Sequence, residues 1–192
     1  IRVFPIFEGA NDVMRSFIAL GGLKALGAEL EDLTHLKLTV VVGTIGTLAD
    51  YALGRVGRAL RPDHITRVHV DLKQLAAPVT VQVQRLRATS EKLLREHGED
   101  VIYCQWHQKR LAHAAMDIYA QVATLSRVTA IFDDQGADAS GQERYIADTF
   151  CSRAAGRVSS ALDQVDDNDD DRMHSIARLA YNRGEYGHRL FG

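Results

Sequence analysis

The stretch Leu111-Ala112-His113-Ala114-Ala115-Met116-Asp117-Ile118-Tyr119-Ala120-Gln121-Val122-Ala123-Thr124-Leu125 sets Leu111, Ala115, Ile118, Val122 and Leu125 at alternating spacings of four and three. That recurrence lines them up on one stripe of an α-helix. It predicts a helix from Asp100 to about Ile131 with one buried side, which only other helices or a sheet can cover. The flanking sequence supplies helices. Upstream, a helix is expected from Asp71 to His97, broken or kinked at Pro78 and ended by Gly98 as the residue after the cap. Downstream, beyond the turn-rich Asp133-Asp134-Gln135-Gly136, Ile146, Phe150, Ala154, Val158 and Leu162 mark the next helix. Met173, Ile176, Ala177 and Ala180 mark a last one, stopping at Gly184.

Nearer the start, residues 11 to 31 read as a helix with Val13, Phe17 and Leu20 on one face and Asn11 or Asp12 at its entrance. Residues 36 to 60 are a weaker helix, interrupted by Gly43, Gly46, Gly54 and Gly57. The run Leu38 to Val42 there also suits a strand. Prolines occur only at 5, 62 and 78. The expected fold class is therefore all-α, an antiparallel helical bundle with short loops, and Pro62 is the natural boundary before an appended bundle.

Length and composition narrow the function classes. A chain of 192 residues can bury a real core. Its 23 Lys and Arg nearly balance 25 Asp and Glu, a net charge of −2, which gives no global attraction to nucleic acid. The two cysteines, Cys104 and Cys151, lie far apart in helical patterns and read as reduced thiols. Apolar runs are too short and too charged to cross a bilayer. The chain opens on Ile1 rather than methionine, so a longer protein is expected.

Few groups carry chemistry. Glu8 lies between the apolar run Val3-Phe4-Pro5-Ile6-Phe7 and Gly9, surroundings that raise a carboxyl pKa toward that of a working base. The plainer alternative is that Glu8 simply favours the helix dipole. Lys37, Arg55, Arg58 and Arg61 make the 36 to 60 segment basic as well as apolar, a composition suited to a membrane interface or to an ordinary surface helix. His107 and His113 are six apart and lack the i, i+4 spacing of a helical metal site, so no metal is expected. The aspartates between Asp163 and Asp171 lack the glycine and terminal glutamate of a calcium loop, and read as a solvated turn in which Asp169 or Asp170 caps the last helix. Asp117, beside the stripe, should pair with Arg110 or Arg127, or with an arginine from a neighbouring helix such as Arg153. Cys104 and Trp106 read as packing residues.

The string Ile6-Phe7-Glu8-Gly9-Ala10-Asn11-Asp12-Val13-Met14-Arg15, followed by Phe17-Ile18-Ala19-Leu20, resembles the catalytic segment of acyl-CoA dehydrogenases, closest to the very-long-chain branch and its relative in complex I assembly. Gln108 to Ala112, Asp117 to Ala120, Leu125 to Arg127 and Asp148 to Cys151 resemble that branch's extra C-terminal helical domain. The resemblance implies an FAD-dependent α,β-dehydrogenation of fatty acyl-CoA in β-oxidation, with Glu8 as the α-proton base, Gly9 against the thioester, and Ala10, Asn11 and Asp12 lining the flavin. The family usually carries Thr where this chain has Ala10, so one hydroxyl contact is lost. It further implies electron-transfer flavoprotein as acceptor and a homodimer, and it admits a mitochondrial matrix or inner-membrane location, while the richness in Ala, Arg and Asp points to a bacterial cytoplasm. On it, residues 1–33 end the dehydrogenase helical domain, 34–63 connect, and 64–192 form the appended bundle. The chain alone should be inactive. The contrasting reading is a non-catalytic helical module for protein or membrane-surface contacts.

Overall fold

The computed structural model describes residues 10–39, 65–137 and 140–184. Over these the chain forms five α-helices: α1 Asn11–Thr39, α2 Lys73–His97, α3 Gln105–Gln135, α4 Gly141–Asp163 and α5 Asp170–Arg183. Short 3-10 turns occupy Val70–Leu72 and Gly98–Tyr103, and the described residues contain no strand. The fold is all-α.

Helix α3 is the centre of the bundle: α4, α1 and α2 all pack on it. Its neighbours in sequence run antiparallel to it. Gln82 of α2 meets Gln121 across the 98–104 connector, and Asp117 meets Arg157 of α4 across the 136–140 connector. The core contains Leu111, Ile118, Leu125, Val128 and Phe132 from α3, Val79 and Leu93 from α2, Ala147, Cys151, Val158 and Leu162 from α4, and Ala19 and Leu23 from α1.

The buried stripe of α3 departs from the expected one at two turns: Ala114 is fully buried and Ala115 only half-buried, and two turns later a polar residue enters the core. Val122 is exposed and Gln121 is buried in its place. A buried amide must find partners. Gln121 donates from Nε2 to Gln82 Oε1 at 2.7 Å and to the Asp117 carbonyl at 3.3 Å. An amide pair thus substitutes for an apolar contact in the middle of the α2–α3 interface. Gln108, also buried, donates to the carbonyls of Val101 and Ile102, both at 2.9 Å, and so pins the 3-10 connector to α3. For this reason α3 begins at Gln105 and not at Asp100.

Three other helices depart in part from their expected faces, although Ala154, Val158 and Leu162 of α4 are buried as expected. On α1, Val13 and Phe17 are exposed while Ala19 and Leu23 are buried, because small Ala19 permits the close approach of α1 to α3. On α4, Ile146 is exposed and Ala147 and Cys151 face the core. On α5, Met173, Ile176 and Leu179 are all exposed and nothing is buried. Helix α2 runs unbroken through Pro78. Pro78 and Gln74 both lie on the exposed side, where the Gln74 carbonyl that loses its intrahelical donor can meet water.

Helix ends follow the chemistry of glycine. Gly98 and Gly184 take φ of 55° and 74°, a region that costs a Cβ-bearing residue energy. Where the expected solvated aspartate turn lies, the structure instead shows tethers. Asp163 pairs with Arg85, Asp166 with Lys92, and Asp170 with Arg110 through two bonds of 2.5 and 2.6 Å. Asp169 is the N-cap residue of α5 without a side-chain cap bond, while Asn168 Oδ1 accepts from the Asp170 amide at 3.0 Å.

Candidate functional site

Glu8 and Gly9 lie outside the described residues, as do Arg55, Arg58 and Arg61. The description begins at Ala10, half-buried, whose carbonyl accepts from the Met14 amide at 3.0 Å and so starts α1. Asn11 and Asp12 follow, both exposed. Asp12 accepts from Arg15 at 2.7 Å, an i, i+3 pair in the first turn. An acidic residue there also favours the helix dipole.

Beside this turn the first turn of α3 closes a cleft of about 360 Å³, lined by Asp12, Val13, Ser16, Gln105, Trp106 and Lys109. Trp106 is half exposed, contrary to the packing role expected of it, and the Lys109 ammonium lies 5.9 Å from its ring centroid. Residues 12–16 and 105–109 are ninety positions apart in sequence, so sequence alone gives no sign that they meet. The visible hint is local: Trp106 and Lys109 fall off the stripe of Leu111, Ile118 and Leu125, where a large aromatic has no core to enter.

The charges around the cleft are mostly committed. Asp117 accepts from Arg157 Nη2 at 2.6 Å and Nε at 2.9 Å; the expected structural ion pair forms with an arginine of the neighbouring helix α4, one turn beyond the named Arg153. His113 is held below the ordinary histidine range, first by burial and then by the Arg15 and Lys109 charges, with Asp117 and Asp12 opposing. Arg15 Nε is buried without a hydrogen-bond partner.

The other titratable groups sit elsewhere. His107 stacks against His97 with centroids 5.6 Å apart, and its Nδ1 is buried without a partner. Burial, then Arg110 and His97, push its pKa down. Cys104 and Cys151 are free thiols, and burial pushes both pKa values up, which disfavours the thiolate. Among the described residues no three His, Cys, Asp or Glu side chains gather as a metal site. Nor is any described helix long and apolar enough to cross a membrane.

Residues 70–186 match the family profile described as ACAD9/ACADV, C-terminal domain. The very long-chain specific acyl-CoA dehydrogenase, mitochondrial, of Macaca fascicularis is 30% identical over 186 residues, covering 93% of this chain and 27% of that protein. Its counterpart in Bos taurus is 32% identical over 166 residues, covering 82% and 24%. This chain therefore spans about a quarter of the length of these relatives. A solved acyl-CoA dehydrogenase complexed with FAD from Bacillus anthracis shares the fold with a TM-score of 0.64 at 17% identity, covering 100% of this chain and 30% of that one. With more than half its length under that profile, on the bundle just described, the chain belongs to the family of acyl-CoA dehydrogenase C-terminal domains.

Proposed function

We propose that this chain works as the C-terminal portion of an FAD-dependent acyl-CoA dehydrogenase of the long or very-long-chain type, with Glu8 as the base in α,β-dehydrogenation. The observation that carries this is the alignment of 93% of the chain with a very-long-chain enzyme, on a chain whose Glu8-Gly9 opens directly into α1. Glu8 would remove the proton at the α-carbon of a fatty acyl-CoA. Gly9, without a side chain, would leave space for the thioester against the backbone. Asn11 and Asp12, exposed in the first turn of α1, would line the planar cofactor, and Ala10 lacks the hydroxyl that a threonine would offer there. FAD, when bound, supplies the hydride acceptor at the β-carbon. These three residues alone are too few to hold a dinucleotide, so the main grip on FAD belongs to other parts of the longer protein.

The division into residues 1–33, 34–63 and 64–192 follows from this reading, as do electron-transfer flavoprotein as electron acceptor, a homodimer, and a bacterial cytoplasmic or mitochondrial location. Arg55, Arg58 and Arg61 remain the membrane-interface candidates. Their test is co-sedimentation with cardiolipin-containing vesicles, which exchange of all three for Glu should abolish. The test of the enzyme is Glu8→Gln in the longer protein. We expect retained flavin and a loss of palmitoyl-CoA oxidation of about two to four orders of magnitude. An active Glu8→Gln protein would overturn it, as would a 192-residue chain that binds stoichiometric FAD by itself.

One observation favours the second reading, a non-catalytic interaction module. Helix α5 buries none of its apolar residues, and Tyr145 and Ile146 expose another apolar strip on α4. Surfaces of this kind mark contacts with further protein. A colourless longer protein with no acyl-CoA oxidation would favour it.

A further inference from the structure

The end of α2 meets the start of α3 through two imidazoles. His97, the last residue of α2, and His107, in the first turn of α3, are both half-buried, with ring centroids 5.6 Å apart and planes tilted by 35°. Between them the 3-10 connector Gly98–Tyr103 turns the chain, held to α3 by the Gln108 amide. His107 Nδ1 is enclosed and has no hydrogen-bond partner among the described residues. A neutral imidazole can present a bare lone pair there, whereas an imidazolium carries N–H on both nitrogens and must bury one of them unbonded. A proton on His107 and the closed junction are therefore in conflict.

Charged groups face His107 from three elements: His97 and Glu96 from α2, Arg110 from α3 itself and Asp170 from α5, while Glu99 and Asp100 of the connector are exposed. Burial is the first obstacle to a proton, followed by the charges of Arg110 and His97; Asp170 and then Glu96 favour it. The balance differs by element. Moving α5 away would take the attracting Asp170 carboxylate from an imidazolium and leave Arg110 unneutralised. Moving the end of α2 away removes the His97 repulsion, which outweighs the Glu96 attraction lost with it, and admits water to the enclosed nitrogen.

We propose that the His97–His107 pair is an acid-sensitive hinge: when His107 takes up a proton, the end of α2 and the connector 98–104 swing away from the first turn of α3, while the Arg110–Asp170 clasp keeps α5 in place. The open form binds the proton at the ordinary histidine value and the closed form only at a lower one. Opening therefore grows as pH falls below about 6.5 and levels off below the closed form's value. The hinge does not depend on Glu8 being a base.

Amide exchange read by mass spectrometry, corrected for its intrinsic pH dependence, tests this between about pH 7.5 and about pH 5.5. The peptide 98–104 should gain about threefold or more in opening, stay insensitive to about 1 M urea as a local opening does, and leave helicity by circular dichroism unchanged. The peptide 170–174 should not accelerate. His107→Phe, which keeps a ring but cannot titrate, should abolish the response, and His97→Phe should reduce it. Should His107→Phe fail to fold, the imidazole resonances of the unaltered protein decide: the His107 titration must follow the same pH course as the opening. The proposal is overturned by the absence of a pH response at 98–104, by a response with the urea sensitivity of the α3 core, or by faster exchange at 170–174. An equal response in His107→Phe, an undiminished one in His97→Phe, or a His107 titration on a different course would overturn it as well.

Discussion

Helices α3 and α5 both carry apolar residues at spacings of three and four, yet α3 buries nine positions and α5 buries none. α3 is covered by α1, α2 and α4, whereas α5 is tied to the bundle through the Arg110–Asp170 pair at its start. Periodicity shows that a helix has an apolar face; it does not show whether this chain contains the surface that covers the face. The α3 stripe belongs to the core of the bundle. The α5 stripe lies open among the described residues.

If that contrast is right, truncations on the two helices should separate cleanly. The largest effect is expected for Leu125→Ala on α3, 2% exposed, at about 2–5 kcal/mol of stability lost in urea unfolding. A cost near zero would mean that α3 is not the centre. Gln121→Ala comes next, at about 1–3 kcal/mol, because it leaves the Gln82 amide without its partner. Replacing both glutamines by leucine should cost much less, which would sharpen the account of an amide pair standing in for an apolar one.

Arg110→Met tests the tether, and about 1–2 kcal/mol is expected, with faster amide exchange confined to α5. Faster exchange throughout α3 and α4 would break the comparison. The same pair gives a pH signature. Arg110 holds the Asp170 carboxyl below the usual carboxylate range, so its contribution is present above the unfolded value near 3.8 and fades as pH falls through the folded one. His107 and His113, both lowered, act earlier in an acid titration. The native state resists their protonation, so stability starts to fall as pH drops below about 6.5 and stops falling below their folded values. His107→Gln should flatten part of that limb in urea unfolding measured from pH 7 to pH 5. The smallest effect, within about 0.5 kcal/mol, is expected for Ile176→Ala on α5, half exposed.

The elements were largely legible because their signals are local. The stop at Gly98, the turn before α4 and the end at Gly184 each follow from backbone preferences within a few residues. Faces were less legible. Val13, Phe17 and Ile146 are apolar and helically spaced but point outward, since smaller neighbours, Ala19 and Ala147, allow closer helix approach. Partners were least legible of all. Asp117 was expected to pair, and it does, but the choice of Arg157 depends on the rotation of α4 about its own axis. The cleft of Asp12, Ser16, Trp106 and Lys109 had no sequence signal as a unit, because helix packing alone joins its two halves.

The sequence by itself determined the all-helical class, the ends of most helices and the likeness of Glu8-Gly9-Ala10-Asn11-Asp12 to a proton-abstracting segment, for these reside in short-range spacing and residue chemistry. Only the tertiary structure decided that Gln121 replaces Val122 in the core, that aspartates of a polar turn clasp Arg85, Lys92 and Arg110, and that Trp106 faces a cleft at the foot of α1. The reason is that burial and pairing depend on how rigid helices rotate and close against one another. That rotation is set by the summed packing of residues far apart in the chain.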